Sequence, residues 1–152
     1  MLDLSNITLL TINTVNTYEA VKALRYCTRE IKFKEVLLFT HHNENYHDIK
    51  RIKVDEFDNL HGYSDFCLRL ADYINSDYVL IVQDDGFILN PGRWEKEFLN
   101  YDYIGAPWPA EQSWIDLQKS RDFMKPGYNQ VGNGGFSLRS RKFLNLSSTF
   151  FH

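Results

Sequence analysis

An α/β protein with a mixed, mostly parallel sheet flanked by helices is the fold class that this sequence predicts. Two observations carry the prediction. Short β-rich apolar runs recur at residues 7–12, 35–39 and 78–82, and stretches with helical apolar spacing separate them at residues 18–31 and 63–74. Strands alternating with helices belong to crossover units, which build parallel sheets. The 152 residues suit one domain, and a hydrophobic share of 43% is enough for a core, so a single domain over residues 1–152 is expected. No internal repeat or low-complexity tract suggests otherwise.

The elements follow in order. Residues 7–12 read as a first strand, and the polar turn 13–17 ends at Thr17, a candidate N-cap. Apolar side chains at Ala20, Val21, Ala23, Leu24, Tyr26 and Cys27 then show helical spacing within residues 18–31. Residues 35–39 form a second buried strand and 40–48 a polar loop. The alternation over residues 51–57 predicts a more exposed third strand. A second helix over 63–74 has Ser64 or Asp65 near its cap. After the strand at 78–82, Pro91 opens a short helix through Leu99, because proline is tolerated in a first turn. Residues 101–104 and 136–139 read as short strands, 110–129 as a long loop, and 141–146 as the start of a helix.

Composition excludes several classes. A net charge of −3 and the absence of a dense Lys/Arg cluster argue against a nucleic-acid footprint. Cys27 and Cys67 lie inside helical patterns and read as buried free thiols. His41, His42 and His47 sit in a polar loop without cysteine partners, so a zinc site is not expected there. No basic segment precedes an apolar signal core, and no apolar run reaches membrane-spanning length. A soluble, cytoplasmic protein is the expectation.

Three segments carry candidate chemistry. The run Tyr78-Val79-Leu80-Ile81-Val82 ends in Gln83-Asp84-Asp85-Gly86, which delivers two carboxylates where open α/β sheets bind ligands. Such hard oxygen ligands suit Mg2+ or Mn2+, and a cation held there can hold a diphosphate; a plain polar turn at Asp-Gly is the alternative. In Gly132-Asn133-Gly134-Gly135, the missing side chains allow close backbone approach to a ligand, or else mark a bulge. Tyr101-Asp102-Tyr103-Ile104-Gly105-Ala106-Pro107-Trp108 ends in an aromatic corner; Trp108 is either a platform for a sugar ring or base, or a buried anchor.

Gln83-Asp84-Asp85-Gly86, then Trp94, then Tyr101 to Trp108, then Val131-Gly132-Asn133-Gly134-Gly135-Phe136-Ser137-Leu138-Arg139-Ser140 together resemble a family of bacterial and viral glycosyltransferase-like proteins. That family is similar to the GT-A group of nucleotide-sugar-dependent transferases. The resemblance is dense from Tyr63 to Leu144. It implies a GT-A-like, Rossmann-like fold whose first strands bind a nucleotide diphosphate sugar, with a metal bridging the two phosphates. The usual Asp-x-Asp motif maps onto Gln83-Asp84-Asp85, with Gln83 in place of the first acid. By that resemblance Asp85 matches the direct metal ligand, Asp84 would be a further ligand or ribose contact, and Gln83 would be a neutral ribose contact. Thr11, Ile12 and Asn13 would border the nucleotide, with Tyr63 and Ser64 near the donor and Arg69 a turn further on. Gly134 and Gly135 would line the donor sugar and the acceptor.

The resemblance therefore implies a Mn2+- or Mg2+-dependent transferase acting on a hydroxyl acceptor such as a glycan. An inverting transferase also needs a carboxylate base, which in similar proteins follows the glycine-rich strand and the next helix. No Glu or Asp lies after Asp122, so either the chain stops short of that base or the base is supplied differently, and no catalytic residue is assigned. Three alternatives stay open: a nucleotide-sugar-binding module without turnover, a nucleotidyltransferase, and a non-enzymatic interaction domain. The nucleotidyltransferase is disfavoured because residues 13–17 hold neither glycine nor lysine.

Overall fold

The structure, a computed structural model, describes residues 1–57, 59–108 and 130–149. They form a six-stranded mixed sheet in the order β3-β2-β1-β4-β6-β5. Strands β1 (Leu2–Ile12), β2 (Ile31–Thr40), β3 (Lys50–Lys53) and β4 (Tyr78–Ile81) pair in parallel. Strand β6 (Gln130–Ser140) is antiparallel to both β4 and the edge strand β5 (Tyr103–Trp108). The expected α/β class with helices on a mixed sheet holds.

Strand β1 is central because its Ile7, Leu9 and Leu10 are apolar toward both faces, as a buried parallel strand requires. One face packs against α1 (Thr17–Thr28), where Ala20, Val21, Leu24 and Cys27 meet Ile7, Leu9, Leu80 and Leu138. The other packs against α2 (Leu60–Leu68) and α3 (Arg141–Ser148), with Phe66, Leu70 and Leu144 against Leu10, Phe39, Val79 and Ile81. Phe39 and Phe66 meet edge to face at 5.3 Å. Both cysteines are buried and free.

The boundaries differ from the sequence expectation in instructive ways. Strand β1 begins at Leu2 and β2 at Ile31, because the first residues of each pair with one another (Leu2 with Ile31). That pairing takes Ile31 from the helix, and α1 stops at Thr28. Asn16 rather than Thr17 caps α1, its side chain accepting from the Glu19 N–H at 3.3 Å. Asn59 caps α2 four residues ahead of the expected start, and the helix tightens into a 3-10 turn at Leu70–Asp72. Strand β3 covers only Lys50–Lys53. The expected helix at Pro91 is instead two 3-10 turns, Pro91–Arg93 and Lys96–Asn100. The glycine segment 132–135 is part of β6, with breaks in register opposite Gly105 and Ala106. The expected loop 110–129, with Trp114, and the Trp108 side chain lie outside the described residues.

Candidate functional site

The chain steps from β1 outward to β2 and β3, then returns to place β4 on the other side of β1. That reversal separates the connections after β1 and β4 and opens a crevice beyond their carboxyl ends, where doubly wound sheets bind ligands. Two links close the floor: Val82 N–H donates to the Leu10 carbonyl at 2.9 Å, and Asn13 N–H to the Phe39 carbonyl at 3.0 Å.

Asp84 and Asp85 do not sit on the strand. They are the two corner residues of a tight turn that the Gln83 and Gly86 backbones close, N–H to carbonyl, at 2.9 and 3.2 Å. The chain after the turn is fixed to α1: Phe87 meets Tyr26 edge on at 5.2 Å, and the Ile88 N–H points at the Cys27 sulfur at 3.3 Å. Both carboxylates are exposed, and they serve different pockets. One pocket of about 400 Å3 is lined by Asn13, Thr14, Asn16, Phe57, Tyr63 and Asp84. A second, of about 310 Å3, is lined by Gln83, Asp85, Gly86, Phe87, Gly135 and Phe136.

The first pocket is built from local sequence. The Asn13 side-chain oxygen accepts from the Val15 and Asn16 N–H groups at 2.9 and 2.7 Å, an Asx-type turn that shapes the loop before α1. Thr14 ties this loop to Phe57, donating to its carbonyl at 3.4 Å and accepting from its N–H at 3.3 Å. Tyr63 lines the pocket while its hydroxyl is buried near Cys67 and Arg139. Burial pushes the Tyr63 hydroxyl well above its ordinary value, with Cys67 adding to the rise and Arg139 opposing it. It stays protonated, so its contribution to the pocket is ring surface.

Of the expected residues, Asn13, Tyr63 and Asp84 come together in one pocket, and Gln83, Asp85 and Gly135 in the other. Thr11 and Ser64 are among the expected residues that lie outside both pocket linings. Thr11 is fully buried in β1 and borders neither pocket, because only residues from Ile12 onward clear the sheet. Ser64 is exposed on α2, its hydroxyl turned back to the Leu60 carbonyl at 2.9 Å, one helical position off the pocket that Tyr63 faces. Arg69 is exposed. Gly134 stands behind the second pocket, its carbonyl accepting from Ser137 Oγ at 2.9 Å and Arg139 Nη2 at 3.3 Å. Thr14, Phe57 and Asn59 line the first pocket without having been singled out; Asn59 ahead of a helical pattern was the readable signal.

Arg139 is 8% exposed; its Nε donates to Ser137 Oγ at 3.1 Å, and its guanidinium lies 5.5 Å from the Tyr103 ring centre. Among the described residues no carboxylate forms an ion pair with it. A metal has a modest donor set here: among the described residues no group of three His, Cys, Asp or Glu converges. Asp85 with Gln83 nonetheless fits the way Mg2+ is commonly held, by one or two carboxylates completed by substrate phosphates.

Fold and crevice thus define an α/β protein with a polar cleft at the switch point of its sheet. Residues 46–150 match the family described as "Protein of unknown function (DUF5672)", and the chain belongs to that family. The matched region takes in the Asp84-Asp85 turn, β5 and β6, while β1 and α1 precede it. No curated protein matches the chain. No helix among the described residues is long and apolar enough to cross a membrane.

Proposed function

We propose that the protein is a GT-A-like glycosyltransferase that binds a nucleotide diphosphate sugar in the crevice and transfers the sugar to a hydroxyl acceptor. The observation that carries this reading is the pair of pockets divided by the Asp84-Asp85 turn. In it the nucleoside occupies the first pocket, against the Tyr63 ring, with Asn13 and Asp84 for its hydroxyl and amide groups. The diphosphate crosses the turn toward Asp85, where Gln83 and Asp85 hold Mg2+ or Mn2+. The metal, when bound, neutralises charge on the departing diphosphate. The buried Arg139 cation behind the glycine segment favours the same charge.

A second reading keeps the binding and drops the turnover. It is favoured by the sparse acid set at the turn, since a transferase of the inverting kind also needs a base on the acceptor hydroxyl. Calorimetric titration with UDP-, GDP- and dTDP-sugars, with and without Mn2+, tests both. Wild type is expected to bind one of them in a metal-dependent manner, and Asp85→Ala to bind it at least tenfold more weakly, which corresponds to about 1.4 kcal/mol. Release of free nucleoside diphosphate in the presence of acceptor separates transfer from binding alone. A folded protein that binds none of the panel overturns the reading in favour of an interaction domain.

A further inference from the structure

Among the described residues, the α1 face of the sheet is incompletely covered. Beside α1, the segment carrying the two 3-10 turns spans the sheet like a roof and leaves a cavity of about 310 Å3 beneath it. Leu4, Leu80, Leu138 and Ile104 form its floor, and Trp94 and Phe98, edge on at 5.4 Å, its roof. Trp94, Phe98, Ile104 and Phe136 stay only half-buried although they turn toward the core, because no described residue packs between them. The volume is about twice the ~150 Å3 at which a dry apolar cavity already takes up benzene, and it falls within the range of small-molecule pockets.

Its shape and its two ends limit the ligand. The lining runs from Leu4, near the start of β1, to Phe136, beyond the end of β4. Strand β1 bulges between Leu4 and Thr8, so the span is read on its regular neighbour: Leu4 pairs with Phe33 and Thr11 with Leu38, five residues of β2, or roughly 17 Å at the ordinary strand rise. One end meets the Asp85 pocket, because Ala106 and Phe136 line both. The other meets the surface at Leu2, Pro91 and Trp94. The walls are mostly apolar, with Asn90, Arg93 and Ser137 the polar side chains of the lining, and the inner end adjoins the Asp85 carboxylate, so the complementary molecule is a long apolar tail with a hydrogen-bond-donating head at that end.

We propose that this cavity binds the tail of a long-chain alcohol and presents its hydroxyl at the Asp85 turn. That the alcohol is the sugar acceptor rests on the donor-site reading above; that the cavity binds it does not. The probe is dodecanol, titrated into the whole chain to displace anilinonaphthalene sulfonate. Ile104→Trp fills the middle of the cavity and Leu2→Trp shortens its outer end, with thermal melting to show which variants are folded. Dodecanol is expected to bind saturably, one per chain, and at least tenfold more weakly in folded Ile104→Trp. Leu2→Trp is expected to discriminate against dodecanol while still binding hexanol, which keeps the proposal testable should Ile104→Trp fail to fold. Absence of saturable binding, or binding that neither tryptophan alters, overturns it. Nucleotide-sugar titrations on the same samples keep the two readings apart: alcohol binding without nucleotide-sugar binding leaves the cavity standing and removes the donor site.

Discussion

At Gly134 a single hydrogen in place of a side chain makes room for a cation. A Cβ there would lie 2.9 Å from Arg139 Nη2 and 3.7 Å from the Tyr103 hydroxyl. Arg139 cannot simply swing away, since Ser137 Oγ and the Gly134 carbonyl hold it and burial surrounds it. Gly134→Ala is therefore expected to destabilise the protein by about 1–3 kcal/mol, as overpacking of a filled site does. In an Arg139→Met background the same alanine is expected to cost less than about 0.5 kcal/mol, because neighbours that clash are not additive. Urea denaturation of the four proteins in the cycle measures this, and equal costs in the two backgrounds would remove the steric account.

Helix α3 depends on one hydroxyl that also reaches across to the strand edge. Ser140 Oγ accepts from the Phe143 N–H at 3.0 Å and donates to Asp102 Oδ1 at 2.6 Å, just ahead of β5. Ser140→Ala is expected to cost about 1–2 kcal/mol, the upper part of the range for a lost N-cap. The Asp102 carboxyl is held below its ordinary value of 3.8, first by Ser140 and then by Lys142. A depressed carboxyl contributes stability that is present above its unfolded value and fades as pH falls through the folded one. The gap between wild type and variant should thus narrow as the pH is taken below 3.8, and a gap that widens there would contradict the role given to Asp102. At this scale the sequence was legible where burial sets the pattern. The runs at β1, β2 and β4 stood out because both their faces are apolar. The 3-10 turns after Pro91 were not legible, since a proline start and scattered apolar residues suit an α-helix equally well. Thr11 was placed beside the nucleotide by its position at the end of the first strand, and its burial follows from where the sheet ends. Asp84 and Asp85 were singled out from their chemistry, but their separation into two pockets comes from the Gln83–Gly86 closure, a tertiary fact with no local signature.

Across the whole molecule, stability is graded outward from β1, the strand most deeply placed between its neighbours. Amides of Leu9, Leu10 and Ile81 are expected to exchange hydrogen most slowly, at rates set by global unfolding, while those of β3 and β5 exchange through local opening. Mass-spectrometric exchange reads this directly, and β3 protection equal to that of β1 would refute the gradient. The two outer strands carry a further consequence. Strand β3 has four residues, three of them Lys50, Arg51 and Lys53, so another strand approaching that side meets a row of cations. On the opposite side β5 contains Pro107, which has no N–H to offer a newcomer. The sheet is thereby guarded at both margins against edge-to-edge aggregation, one by charge repulsion and the other by a missing donor.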